Sequence, residues 1–302
     1  MPRRLEEAAV FAAPGVFLVL WSSGFVAGKF GMRYAEPLTY LALRMTGVVV
    51  VLLAIIIVTR PRWPSPAGWL HSTVAGLLVH GFYQGGVYVS IEYGLSPGLA
   101  ALVVSLQPVL TSTLANRWLG ERVAARQWLG LALGLLGVYL VLRDKTGTGG
   151  ATLLGWLMAA MALVSITIGT LYQKRFGGAI DWRPALGIQY GACMLLFVLG
   201  AYVFETRAVQ WEPPFVLVLA YVILVLSIGA VYLFYYLIRR AEATRVVSLF
   251  YLTPPTTTLM AWIVFGDRLA PLALLGMAVC VAGVALVNWR PKAMREASVS
   301  AK

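Results

Sequence analysis

The chain has 302 residues, of which 60% are hydrophobic and only 12% charged, with a mean hydropathy of +0.81. No soluble domain of that length carries such a composition. A net charge of +12 would suit nucleic acid, but the charges cluster in short segments between apolar stretches, so they report membrane topology and no nucleic-acid partner is expected.

Ten apolar stretches are long enough to cross a hydrocarbon core, which takes about 17–25 helical residues. They lie near 11–30, 37–59, 67–92, 97–117, 125–142, 151–173, 185–204, 214–238, 243–265 and 270–288. Lipid offers no partner to a bare peptide group, so they are expected to be helices and the fold an all-α polytopic membrane protein. Arg3 and Arg4 before the first stretch resemble a secretory signal; the pairing of the two halves described below argues against cleavage. Lys29 stands near the outer end of that stretch. Gly24 to Phe30 superficially resembles a phosphate-binding loop, but the glycines are one residue too close and Phe30 stands where Ser or Thr would hold magnesium.

Arg44 lies seven residues into the second stretch, roughly 10 Å below the outer surface. A buried ionisable group is costly in hydrocarbon and marks a candidate site. Its guanidinium and Lys29 would attract a carboxylate or phosphate; snorkelling of Lys29 and a structural hydrogen bond for Arg44 are the simpler alternatives. The third stretch places His80, Gln84 and Tyr88 on one helix face at i, i+4 and i+8, for substrate hydrogen bonding or for proton uptake. In the fourth, Gln107, Pro108 and Thr111 mark a break, and in the ninth Thr253, Pro254 and Thr257 mark another at the matching place. Each proline withholds a backbone donor and would act as a hinge, and paired broken helices point to a transporter's binding site. In the eighth, Tyr232, Tyr235 and Tyr236 form an aromatic stripe, read either as packing or as cavity wall.

The charge pattern sets the orientation. Seventeen Lys and Arg fall in segments on one side: Arg3, Arg4; Arg60, Arg62; Arg117, Arg122, Arg126; Lys174, Arg175, Arg183; Arg239, Arg240, Arg245; Arg290, Lys292, Arg295 and Lys302. Five fall on the other: Arg33, Arg143, Lys145, Arg207 and Arg268. The positive-inside rule then puts both termini in the cytoplasm, in a bacterial inner membrane. Residues 95–142 align with 241–288 at an offset of 146 without a gap, with fourteen identities, among them Pro108/Pro254, Thr111/Thr257, Gly120/Gly266, Arg122/Arg268, Gly130/Gly276 and Gly137/Gly283. Each copy closes a set of five stretches, so the second set enters from the opposite side. Two inverted five-helix repeats are expected, 1–146 and 147–302, joined at the flexible segment 143–150. Small residues such as Gly130, Gly134 and Gly137 allow close helix packing, within the chain or across a homodimer.

Trp21 to Lys29, Leu43-Arg44, and the two proline-containing stretches followed by Gly120-Glu121-Arg122 or Gly266-Asp267-Arg268 resemble the EamA-type drug/metabolite transporter superfamily over essentially the whole chain. The resemblance implies ten helices in two inverted halves, with the third, fourth, eighth and ninth around a substrate cavity, and export of an amino acid or other small metabolite. No mid-membrane carboxylate, catalytic triad or metal-ligand spacing is present in the sequence, so no enzyme, metal or cofactor is expected. The partners expected are a small-molecule substrate and the lipid bilayer. The reading is a secondary carrier exporting a small metabolite. Its rivals are an importer or a nucleotide-sugar or sugar-phosphate exchanger, a lipid-modifying membrane enzyme, and a non-transporting membrane sensor.

Overall fold

The structure, a computed structural model, describes the backbone of residues 3–95, 97–143, 150–178, 180–265 and 270–289, and their side chains except those of 3–11, 25, 29, 97, 98, 261, 264 and 265. Among the described residues every regular element is a helix, and one isolated bridge joins Ala35 to Val209. In chain order the helices are α1 (Arg3–Gly31), α2 (Pro37–Thr59), α3 (Pro66–Glu92), α4 (Leu99–Leu119) and α5 (Ala125–Leu142). After the joint come α6 (Leu153–Phe176), α7 (Trp182–Phe204) and α8 (Pro213–Arg240). Then α9 is built from Ala243–Ser248, Leu249–Leu252 and Thr253–Phe265 end to end, followed by α10 (Pro271–Asn288).

Eight of these, α2 to α8 and α10, are long and apolar enough to cross a membrane. The sequence leads to an expectation of ten. In α1 the apolar part is the shorter Ala12–Gly28, and α9 is interrupted by a 3-10 turn over Leu249–Leu252. The interruption has a covalent cause. Pro254 and Pro255 have no N–H to give the carbonyls of Phe250 and Tyr251, so the α-helical ladder lapses there. The same happens in α4, whose first piece ends at Val104, the residue that Pro108 would otherwise bond. Both prolines therefore sit in the first turn of a new helical piece, where a missing donor costs little.

Local signals fix the other ends. Pro37, Pro66, Pro213 and Pro271 open their helices at the first turn. Ser65, Thr152 and Asp181 cap theirs through side-chain oxygens. Gly120 closes α4 in the left-handed region at φ +69°, with its N–H returned to Ala115. Large apolar side chains such as Val58, Phe204 and Leu217 lie exposed around the perimeter, as lipid-facing surface requires.

Two opposite ends of the bundle can be told apart. At one, the Tyr34 end, Gln210 N–H donates to Tyr34 O at 2.8 Å and Thr152 N–H to Tyr93 O at 3.2 Å. There Glu205 accepts from Leu38 N–H, Thr39 N–H and Thr39 Oγ1, each at 2.7 Å. At the other, the Glu121 end, lie 60–65, 120–124, 177–178, 240–242 and Trp289, whose carbonyl accepts from Arg126.

Helices α5 and α10 pack closely along their length. A Cβ on Gly130 would meet Gly283 O at 2.7 Å, and one on Gly137 would meet Gly276 O at 2.7 Å. A Cβ on Gly276 would meet Gly137 O at 2.7 Å, and one on Gly283 would meet Gly130 O at 2.6 Å. At the repeat offset Gly130 corresponds to Gly276 and Gly137 to Gly283, so each contact has its mirror partner and the two helices run antiparallel. Cys280 Sγ lies 3.7 Å from the carbonyl of Gly134, its own counterpart, where the local two-fold passes. These glycines, the candidates for a homodimer face, are taken up by packing inside the chain.

Candidate functional site

A cavity of about 340 Å³ lies chiefly between α1, α2, α3, α4, α8 and α9. It extends toward the Tyr34 end, where Met32, Ile91 and Leu142 line it. Toward the Glu121 end it stops at Trp21 and Phe250, which pack with Phe17 and Phe234 at ring-centroid distances of 5.3–5.9 Å.

Beyond this aromatic floor a charged latch ties the halves together. Glu121, in the loop after α4, pairs with Lys174 at the end of α6, the two side chains 13% and 19% exposed. The same carboxylate accepts from the N–H of Ala243, the first residue of α9, at 2.9 Å, where a helix N-terminus favours negative charge. Lys174 Nζ also donates to Ala241 O at 2.6 Å. One loop of the first repeat is thereby fastened to two helices of the second.

Arg44 lines the cavity without a carboxylate within 4.0 Å among the described residues. Its Nε donates to Ser227 Oγ at 2.9 Å and its Nη1 to Gln84 Oε1 at 3.0 Å. Ser227 is fully buried in a wide-turn π stretch of α8, Val222–Ala230. Its hydroxyl donates to Val222 O, five residues back, at 2.8 Å, and its own carbonyl accepts from Tyr190 OH at 2.9 Å. A matching π stretch, Leu77–Phe82, interrupts α3 and contains His80. Such stretches expose backbone carbonyls and recur at functional sites.

His80 lines the cavity, 1% exposed, with its ring stacked on Tyr190 at 4.6 Å. Its Nε2 is 3.2 Å from Tyr235 OH, which donates to Gln189 Oε1 at 2.7 Å, and Gln189 Nε2 donates to Gln173 Oε1 at 3.3 Å. Because Tyr235 gives its proton to Gln189, it accepts from His80, and Nδ1 is left buried with no partner among the described residues.

Of the residues expected at a site, the structure brings Arg44, His80, Gln84, Tyr88, Gln107, Thr253, Pro254 and Thr257 to one cavity. Gln107 Nε2 donates to Thr170 Oγ1 and Thr257 Oγ1 to Ser22 O, each at 3.2 Å, while Thr253 Oγ1 is buried without a partner among the described residues. Tyr235 stands one layer behind, holding His80. Thr111 and Pro108 are buried but do not line the cavity. Tyr232 points outward, 40% exposed, against Trp182. Gly85-Gly86-Val87-Tyr88 matches Gly229-Ala230-Val231-Tyr232 at an offset of 144, yet only Tyr88 faces the cavity. The side chain of Lys29, like Asp267 and Arg268, lies outside the described residues. Ser227 and Tyr190 were not foreseen, and their signal was faint: single polar groups in apolar helices. No group of three or more metal-binding side chains occurs among the described residues.

An all-helical bundle with a largely apolar pocket, carrying a few polar side chains such as Arg44 and Gln84, between broken helices suits a membrane carrier, and the sequence agrees. The chain belongs to the EamA-like transporter family, which it matches over residues 10–143 and again over 153–289. It is 28% identical over 288 residues to the uncharacterized transporter YvbV of Bacillus subtilis (strain 168), covering 93% of this chain and 92% of that one. It is 26% identical over 287 residues to a protein of Escherichia coli (strain K12) named "Probable amino-acid metabolite efflux pump", covering 90% and 94%. It is 23% identical over 279 residues to the uncharacterized inner membrane transporter YedA of the same strain, covering 92% and 90%. A solved crystal structure shares the fold at a TM-score of 0.78 and 22% identity, over 93% of this chain and 96% of that one.

Proposed function

We propose that the protein is a secondary carrier that exports a small carboxylate-bearing metabolite, in the first place an amino acid, from the cytoplasm by alternating access. The observation that carries this reading is the Arg44 guanidinium, which lines a membrane-depth cavity with no acid among the described residues to neutralise it. Leaving a charge uncompensated in hydrocarbon is costly, and a substrate carboxylate would supply the missing partner. Apolar walls such as Val87, Ile166 and Leu226 suit an uncharged side chain. The amino-acid efflux relative supports the substrate class, and the antiparallel contact of α5 with α10 supports two inverted five-helix repeats, hence ten spans.

In this conformation the cavity reaches the Tyr34 end and is closed at the Glu121 end by the aromatic cluster and the Glu121–Lys174 latch. With the Glu121 end cytoplasmic, as its basic residues require, the state is outward-facing. Single cysteines placed at Thr148 and Ser298 test that orientation: an impermeant thiol reagent on intact cells labels 148 and spares 298. The reverse pattern would overturn it. The function is tested by flux from liposomes loaded with labelled amino acids, with Arg44→Gln as the control. Equal flux through both proteins would remove the carboxylate site. A sugar-phosphate exchanger predicts instead that phosphate esters, and not amino acids, exchange.

A further inference from the structure

We infer that Ser227 is a positioning residue for the substrate's carboxylate: it aims the Arg44 guanidinium, so that the π stretch of α8 in the second repeat controls an anion subsite carried by the first. This rests on the carboxylate reading proposed above and goes beyond it by naming the group that sets the cation's geometry.

The argument follows the hydrogen bonds. Arg44 has five N–H donors in a rigid plane. Ser227 Oγ takes Nε on one edge of the fork and Gln84 Oε1 takes Nη1 on the other. Among the described residues no partner is found for Nη2, nor for the Gln84 amide nitrogen. The guanidinium is thus gripped by protein on both edges with Nη2 between them left over, and the remaining donors, on Nη2 and on the Gln84 amide, belong to two adjacent groups that both line the cavity. Two neighbouring donor groups suit the two oxygens of a carboxylate.

Ser227 accepts from Nε while its own proton is directed elsewhere. Its hydroxyl donates to Val222 O, a carbonyl five residues back within the π stretch, which leaves the oxygen lone pairs for Arg44. Tyr190 OH fixes the Ser227 carbonyl from α7. In an uninterrupted α-helix each residue turns about 100° past the last, so losing the π stretch would swing Ser227 away from Arg44. The Ser227 side chain is fully buried and does not line the cavity, so it acts through Arg44 and does not touch substrate.

The test uses purified full-length protein in detergent and a panel of the standard L-amino acids, the best binder being chosen by its shift of melting temperature. Affinity for that amino acid and for its methyl ester, which lacks the carboxylate, is then measured. Ser227→Ala is expected to weaken the amino acid about tenfold, the worth of one charge-assisted hydrogen bond, and to leave the ester and the unliganded melting temperature near wild type. In an Arg44→Lys background the same substitution is expected to have no effect, because an ammonium has no Nε edge to align. Ser227→Thr, which keeps the hydroxyl, restores affinity. An equal loss for acid and ester, a loss that persists beside Arg44→Lys, or no loss at all would overturn the inference and leave the carboxylate reading standing. Equal affinity of the wild-type protein for acid and ester, or no binder in the panel, would overturn the proposed function and this inference with it.

Discussion

The α5–α10 contact and the cavity are built from the same duplicated sequence, yet one keeps the two-fold and the other has lost it. At the contact, Gly130, Gly137, Gly276 and Gly283 retain identity across the repeat and touch each other reciprocally. In the cavity the counterparts have diverged. Upstream of the gapless segment, at an offset of 145, Arg44 falls opposite Gln189, which supports Tyr235 and His80 from behind, and Tyr88 faces the pocket while Tyr232 faces outward. Sequence symmetry survives where backbones must approach closely and no side chain fits. It is lost where a single cation is wanted, because two symmetry-related arginines in one cavity would repel each other at membrane depth.

The scaffold side of this contrast breaks most severely. A Cβ at Gly137 would sit 2.6 Å from the Cys280 amide nitrogen, which is backbone and cannot swing aside. Gly137→Val is expected to cost about 1–3 kcal/mol or more through overpacking, seen as a fall in melting temperature and in monodisperse yield. Gly191→Ala, with no atom beyond its own helix backbone within 4 Å of the added carbon, is the control and should be neutral. A tolerated Gly137→Val would mean that the interface is not tightly determined.

On the cavity side, Arg44→Gln is expected to lower substrate affinity roughly ten- to hundredfold, corresponding to about 1.5–3 kcal/mol. Arg44→Lys should recover only part of that, since a compact ammonium lacks the planar fork. Both are checked by affinity and melting temperature on the same sample. A lower melting temperature with unchanged affinity would make Arg44 a structural residue.

The latch lies between the two regions, with contacts from both repeats. Glu121→Gln keeps a hydrogen-bond acceptor but removes the charge that holds Lys174 and the α9 N-terminus. It is expected to shift the balance toward opening at the Glu121 end by about 1–2 kcal/mol, a factor of roughly 5–30. A lone cysteine introduced by Ala101→Cys, on the cavity wall, should then be labelled faster from the Glu121 side of oriented vesicles. Unchanged labelling would make the latch a static brace.

Much of this was legible in the sequence because it rests on chain-local rules. Apolar length marks the spans, the glycine and proline repeat marks the duplicated pair, and a charged residue inside a span marks Arg44. What was not legible depends on how helices rotate against each other. The stripe of Tyr232, Tyr235 and Tyr236 reads as one face of the regular helix Val231–Arg240, but three residues turn the helix about 300°, so Tyr235 lies about 60° round from Tyr232, and the way the helix is rotated against its neighbours buries Tyr235 and leaves Tyr232 outward. Ser227 has no signal beyond being polar among apolar neighbours, and its role appears only when Arg44 from another helix is beside it. Pro108 and Pro254 align perfectly, yet one lines the cavity and the other does not.

That last pair gives the smallest expected effect and the finest test of the contrast. Each proline stands in the first turn of a helical piece, so replacing it removes little strain, and the direct stability change should stay within about 1 kcal/mol. What differs is the neighbourhood. Pro254 stands on the cavity wall between Thr253 and Thr257, which line it too, and a restored N–H would let the ladder close onto Phe250. Rewinding there would turn both threonines about the helix axis. Pro254→Ala is therefore expected to lower transport several-fold at nearly unchanged melting temperature. Pro108 lies buried away from the cavity with its carbonyl accepting from Ser112 Oγ at 2.7 Å, so Pro108→Ala should transport at close to the wild-type rate. Flux in liposomes beside thermal melts of the two purified variants decides it. Equal impairment would mean that both breaks act as hinges in a symmetric switch, and that the asymmetry of the cavity does not extend to its moving parts.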